Sequence, residues 1–292
     1  MKFWQAVTWA ETDQLIEIAK FAEELGFHGI MTGDHALYPK EMRPDYPYSD
    51  SGYPPQTAAS EYPDQWALFG AMAAVTTRIK FTCGIYVLPL RHPIEVAKAC
   101  TTLAILSKGR FILGAGAGWM REEFDIYGVD FHTRGKRLDE ALDVLDKLWK
   151  PGMVEHHGEF FDFPQIQLSP EPDYKIPVYI GGANKLALQR TAKYADGWIG
   201  AGNHPKDVPA LMSELSRLRA EVGRDHLPFE TMVGLYAPIE LDTFKKMEGS
   251  GMTSGLNIPF ALKLGENSTL DEKKFFMENF ATRIIRHFPD TP

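Results

Sequence analysis

Short apolar runs alternate with longer amphipathic runs along almost the whole chain, and no other feature narrows the fold as much. Residues 2–9, KFWQAVTW, read as a strand. In 13–26 the apolar residues Leu15, Ile18, Ala19, Ala22 and Leu25 share one helical face, and Gly26 ends the helix. Residues 29–35, GIMTGDH, form the second strand, and 63–77 a helix whose start suits Pro63 and Asp64. Residues 79–89 are apolar almost throughout, as in a strand covered on both faces. The same reading gives a helix at 92–109, a strand at 110–118 and a helix at 134–150. Strands at 177–182, 197–202, 229–237 and 254–260 then alternate with helices at 185–196, 207–223, 241–248 and 270–288.

Eight strand-then-helix units predict a parallel sheet. In one domain of 292 residues they predict an α/β fold, the (β/α)8 TIM barrel, which typically takes ~250 residues. The surplus falls in two places. A Pro- and Tyr-rich loop, 36–62, follows strand 2, and an insertion at 151–176, read as a small hairpin, precedes strand 5. A doubly wound open sheet is the alternative. No linker or low-complexity tract interrupts the pattern, so one domain over 1–292 is expected.

The net charge of -8 argues against nucleic acid, which needs clustered Lys and Arg. The N-terminus has no apolar segment of signal or membrane-spanning length, so no membrane partner is expected and the cytoplasm is the default location. The two cysteines, Cys83 and Cys100, sit inside apolar runs and read as reduced and buried. No Cys/His cluster has metal-site spacing, and the adjacent His156 and His157 cannot share one helical face, so no metal is expected.

A barrel of this kind carries its site at the C-terminal strand ends. Those ends are rich in glycine: Gly33, Gly84, Gly116 with Gly118, Gly181 with Gly182, and Gly200 with Gly202. Missing side chains admit a flat ring or a phosphate, although tapering barrel layers and tight turns also use glycine. The run GAGAG lacks the G-x-G-x-x-G dinucleotide spacing and a P-loop lysine. Gly181-Gly182-Ala183, just before a helix, is the better phosphate cradle because the helix dipole adds to its N–H groups. Asp34-His35 closes strand 2, and an imidazole there can accept or donate a proton near neutral pH. His28, at the other end of that strand, reads as structural, and Glu122-Glu123 as acids that open a helix. Tyr38, Trp66 and Trp119 are candidates for the wall of a substrate pocket.

The marks GDH, RHP before a helix, LSKGRF, GAGAGW, EEF, RGKRLDEAL, IGGA and ADGW together resemble the luciferase-like monooxygenase superfamily, in particular its branch dependent on coenzyme F420. The resemblance is strong over 13–202 and beyond that rests on the strand–helix pattern. It implies an oxidoreductase that passes a hydride between coenzyme F420 and a small organic substrate. An FMN-dependent monooxygenase and a non-catalytic flavin-binding protein are the alternatives. It implies a bulge in strand 3 with a non-proline cis peptide behind the cofactor ring, at Cys83-Gly84 or Gly84-Ile85. Cys83, Gly84, Ile85, Gly116, Ala117 and Gly118 would then border the ring, and Gly181, Gly182 and Ala183 would hold the phosphate. The strand-4 glycines would be clearance for the ring, and His35, aided by Asp34, the proton donor or acceptor. Sugar-phosphate dehydrogenases of this branch carry an acid where this chain has Trp119, so an apolar or aromatic substrate is expected. A homodimer and a separate flavin or F420 reductase are the protein partners the resemblance suggests.

Overall fold

The computed structural model describes residues 1–288. The last four positions of the expected domain, 289–292, lie outside the described residues. Five strands and their helices make the first half: β1 (Lys2–Ala6), α1 (Leu15–Glu24), β2 (Gly29–Thr32), α2 (Gln65–Val75), β3 (Lys80–Cys83), β4 (Tyr86–Val87), α3 (Pro93–Leu106) and β5 (Phe111–Gly116). Then come α4 (Arg121–Ile126), α5 (Arg134–Leu148) and the antiparallel pair β6 (Val154–His157) and β7 (Asp162–Ile166), the hairpin expected within 151–176. The second half is β8 (Val178–Gly181), α6 (Lys185–Tyr194), β9 (Gly197–Asn203), α7 (Val208–Glu221), β10 (Glu230–Leu235), α8 (Leu241–Gly249), β11 (Ser254–Asn257), α9 (Phe260–Leu264) and α10 (Leu270–Arg283).

Parallel pairing runs β3-β2-β1-β11-β10-β9-β8-β5, and a β3–β5 pairing closes the ring. This is the eight-stranded TIM barrel, not the open sheet. Its third position departs from the expected continuous strand over 79–89. Thr82 pairs with Ile112 and Tyr86 with Ala115, so four steps on this strand (82 to 86) oppose three on β5 (112 to 115). The extra residue is a bulge, and the Gly84-Ile85 peptide bond within it is cis, one of the two positions the resemblance indicated. The other differences are at ends. β1 stops at Ala6 rather than 9, the strand expected over 254–260 gives way to α9, and the last helix ends at Arg283.

Alternation along each strand separates two apolar layers. Trp4, Met31, Ile112, Tyr179, Met232 and Leu256 belong to the cluster inside the barrel. Phe3, Ile30, Phe81, Phe111, Ile180 and Trp198 face the helices. Each such side chain contributes ~1.5–3 kcal/mol when fully buried. Gly29 is paired with Trp4, and a Cβ there would fall inside the indole ring, so the largest interior side chain fits only beside glycine. Helix starts are capped as the sequence suggests: Asp64 accepts from Ala67 N–H at 2.9 Å, and Asn184 from Ala187 N–H at 2.9 Å. Thr269 and Glu272 form a capping box on α10.

The barrel base is charged. Lys2 pairs with Glu230, and the His28 ring sits edge-on to Trp4 at 5.4 Å. Burial, with Lys80 and Lys2 nearby, lowers the His28 imidazole to about 3, so it stays neutral and structural, as expected. Both thiols are buried, and burial pushes Cys83 and Cys100 well above the usual range. Among the described residues no helix is long and apolar enough to cross a membrane.

Candidate active site

His35 leaves the end of β2 and turns toward α4. Its Nδ1 lies 3.0 Å from Glu123 Oε2, and the other oxygen of that carboxylate accepts the Ala36 backbone N–H at 2.8 Å. The Glu123 side chain is 2% exposed and the His35 side chain 12%. Two aromatic rings hold the imidazole edge-on, Tyr62 at 5.1 Å and Trp119 at 5.5 Å. Tyr62 is fixed in turn, accepting from Trp9 Nε1 at 2.5 Å and donating to Gln56. Burial raises the phenols of Tyr46, Tyr48 and Tyr62, so the aromatic surroundings stay uncharged near neutral pH.

Asp34 does not assist His35. Its Oδ1 accepts from Arg91 Nη2 at 3.0 Å and its Oδ2 from Val87 N–H at 2.8 Å. Burial pushes the Asp34 carboxyl up, while Arg91 and the Val87 N–H oppose that shift. The carboxylate therefore ties the end of β2 to β4 just past the bulge. The acid beside His35 is Glu123, which the sequence presented only as one of two carboxylates opening a helix. Both do lie in the first turn of α4, yet each also holds the 36–62 loop: Glu123 through Ala36, and Glu122 through Arg43 N–H at 3.0 Å. Nothing in EEF distinguishes a helix-opening acid from a histidine partner.

The loop crosses the strand ends and is anchored beyond them. Glu61 accepts from Thr12 N–H at 2.8 Å after β1, Tyr236 Oη donates to the Tyr48 carbonyl at 2.8 Å after β10, and Tyr46 packs on Trp119 at 5.0 Å. Trp119 thus joins His35 to the loop. Trp66 does not join them. It lies on α2 in the layer outside the barrel, against Tyr86 and Phe111 at 5.2 and 5.6 Å. Tyr38 stands 43% exposed on the loop.

The glycine-rich ends have a nearer cause than a ligand. The Cys83 side chain is buried in the outer layer, and its carbonyl occupies the space where Gly114 would carry a Cβ. Ile85 projects from the bulge into the barrel top. Its side chain fills the positions that a Cβ would take on Gly116 and on Gly181, and a Cβ on Gly84 would overlap Met31. Gly118, at φ +81°, turns the chain under Val87 and Phe124, and Ala117 packs on the outer core. The alternating glycines therefore seat the bulge directly, and bear on a ring only through Ile85.

Two features suit a flat group carrying a phosphate. The interior apolar cluster is topped by Ile85, which stays partly exposed. Across the mouth, Gly182 takes φ +107° and begins the turn that Asn184 caps as α6 starts, with Ala183 exposed in it. The Trp198 indole N–H donates to Gly182 O at 2.8 Å, and Trp198 and Asn203 both lie against Gly200. The Asn203 amide nitrogen is buried without a partner among the described residues. A spare amide donor near a helix N-terminus suits an anion. Two surface hollows, one lined by Glu11, Glu61 and Ser268 and one by Met212, Arg219 and Phe229, contain none of these residues.

Comparison with known proteins agrees with this geometry. An uncharacterized protein of Mycobacterium tuberculosis is 33% identical over 288 residues, 98% of this chain and 99% of that protein. An F420-dependent glucose-6-phosphate dehydrogenase of Microbacterium testaceum is 27% identical over 80% of this chain and 72% of its own length. Among solved structures, monooxygenase RslO1 from Streptomyces bottropensis superposes with a TM-score of 0.80 at 16% identity, covering 99% of this chain and 100% of that one. The family model described as luciferase-like monooxygenase matches residues 4–240, and with a closed barrel, a bulged third strand and a histidine at the second strand end, the chain belongs to the luciferase-like family of oxidoreductases.

Proposed function

We propose that the protein transfers a hydride between coenzyme F420 and a small apolar or aromatic organic substrate, with His35 moving the accompanying proton. The observation that carries this reading is the His35 imidazole, half-buried between Trp119 and Tyr62, anchored at Nδ1 by Glu123 and without a hydrogen-bond partner at Nε2 among the described residues. The F420-dependent relative supports the choice of coenzyme. The bound cofactor supplies the hydride donor or acceptor, a step no side chain can perform. Ile85, seated against Gly116, would border its ring, and Gly181, Gly182 and Ala183, with Asn203, would hold its phosphate.

The remaining work belongs to the chain. His35 passes the proton at Nε2, Glu123 keeps the ring from turning, and Trp119 with Tyr62 fixes its tilt. The 36–62 loop, tied down at Glu122 and Tyr236, shields the strand ends from water. The site lacks the acid that would stand at Trp119 in sugar-phosphate dehydrogenases, and its uncharged aromatic surroundings favour an apolar partner for the hydride. The reduced cofactor would come from a separate reductase, and the buried free thiols fit the cytoplasm.

Titrating the apoprotein separately with F420 and FMN tests the cofactor. Tighter binding of F420 supports the proposal; tight FMN binding with none for F420 makes the protein a flavin-dependent monooxygenase instead. His35→Ala should leave cofactor affinity unchanged and lower turnover by ~10²–10⁴-fold, the usual contribution of one positioned acid or base. Unaltered turnover would remove His35 from the chemistry.

A further inference from the structure

Proton transfer at Nε2 of His35 requires that nitrogen to be in a particular protonation form, and the geometry fixes which form the neutral ring takes. We infer that Glu123 is a positioning residue that locks His35 in the tautomer carrying its proton on Nδ1, so that Nε2 holds the lone pair and is the single point of proton exchange. Only the use made of that nitrogen rests on the oxidoreductase role proposed for the site.

The contacts around the ring lead there. Ala36 N–H can only donate, so Glu123 Oε1 is committed as its acceptor at 2.8 Å. That contact fixes the carboxylate and places Oε2 3.0 Å from His35 Nδ1. An ionised carboxylate accepts and cannot donate, so Nδ1 must carry the hydrogen. Neutral imidazole has one N–H, which leaves Nε2 bare. No described residue hydrogen-bonds Nε2, and the part-open side chain gives it a route outward. The other nearby carboxylate does not compete, because Asp34 is spent on Arg91 and Val87 N–H. Tyr62 and Trp119, each packed nearly perpendicular to the imidazole, oppose a flip of the ring that would exchange its nitrogens.

The lock has a chemical consequence. A neutral His35 takes a proton from the substrate at Nε2 and, once charged, returns it from the same atom. In the opposite tautomer the neutral ring would present an N–H to the mouth and could not act as a base. Glu123 thereby makes one residue competent in both directions of a hydride transfer while never touching the substrate.

The test needs no cofactor or substrate. Protein labelled with ¹⁵N-histidine is recorded by long-range ¹H–¹⁵N correlation above the imidazole titration, with His35 assigned by the loss of its signals in His35→Asn. The expected pattern puts Nδ1 in the protonated range and Nε2 in the unprotonated range. The reverse pattern overturns the inference. In Glu123→Gln, the amide oxygen keeps the Ala36 N–H and its NH2 turns to Nδ1, so the two His35 signals should exchange ranges. A wild-type pattern in that folded variant also overturns it, because the side chain would then not set the tautomer. If Glu123→Gln fails to fold, the wild-type spectrum decides alone. Should the expected pattern stand while His35→Ala retains full turnover, the oxidoreductase role of His35 fails and the tautomer assignment survives.

Discussion

Gly116→Ala separates two explanations of the alternating glycines. If Ile85 is what occupies the space beside Gly116, the substitution strains the empty protein. A Cβ at 116 would overlap Ile85 Cδ1 and lie 2.8 Å from its Cγ1, while Ile85 Cβ is at an ordinary 3.4 Å. The offending atoms are the far end of one side chain, so the site can yield in part. Overpacking of this kind costs ~1–3 kcal/mol, and the lower unfolded-state entropy of alanine returns ~0.4–1 kcal/mol. The net loss should be about 1–2 kcal/mol, at roughly 2–4 °C in Tm per kcal/mol for a chain approaching this size. Ile85→Ala removes the overlapping atoms, so Gly116→Ala should become neutral or slightly stabilising on that background. A double-mutant cycle in urea should give a coupling of ~1–3 kcal/mol. Two neighbours calibrate the series. Gly114→Ala would drive a Cβ into the Cys83 carbonyl, with the carbonyl carbon at 3.0 Å; backbone cannot step aside without parting β3 from β5, so that variant should fail to fold with or without Ile85. Gly234→Ala meets nothing closer than 3.4 Å and should match the wild type. The reasoning is refuted if Gly116→Ala melts with the wild type, shows no coupling to Ile85 and is defective only in binding cofactor. The glycine would then be clearance for a ring after all.

Asp34→Asn should destabilise the fold by ~3–5 kcal/mol, because it leaves the Arg91 guanidinium half-buried without its counter-charge; a variant with normal melting but no turnover would return Asp34 to the chemistry. Arg110→Lys should cost a comparable amount in urea unfolding. One planar fork there serves the carbonyls of Ala73, Thr76, Ile79 and Ser107, and a single ammonium cannot reach them together; a loss under ~1 kcal/mol would contradict this. Glu23 supplies an acid-sensitive contact. Burial works against its charge, but the backbone N–H groups of Ile79, Arg78 and Thr77 outweigh burial and hold its carboxyl below the usual range. Its contribution is therefore complete above the ordinary value of 4.5 and is lost as pH falls through the lower folded value. The melting temperature of Glu23→Gln should fall less steeply than that of the wild type below pH ~4.5; parallel curves would exclude the contact.

The sequence alone determined the barrel. Strand and helix periods are local properties, fixed by which face each residue must bury, so the element order, the hairpin before strand 5 and the long loop could be read without coordinates. One motif that depends on neighbours in the chain also carried over, GDH, which put a histidine at a strand end; the bulge at Cys83-Gly84-Ile85 was implied only by the family resemblance, since the residues themselves read as a continuous strand. What the chain order could not show was which acid meets that histidine. Asp34 is adjacent to His35 in sequence, but successive residues leaving a strand point opposite ways. One carboxylate went to Arg91, and the partner came from 88 positions further on. The glycines show the same limit. Their spacing announces missing side chains, but only the closed barrel brings Ile85 across to fill the gap. Trp66 likewise has the composition of a pocket wall, and the curvature of the barrel leaves it on the outside. Periodicity lies within a segment and survives in one dimension; a site is made of contacts between distant segments, and these exist only once the ring of strands has closed.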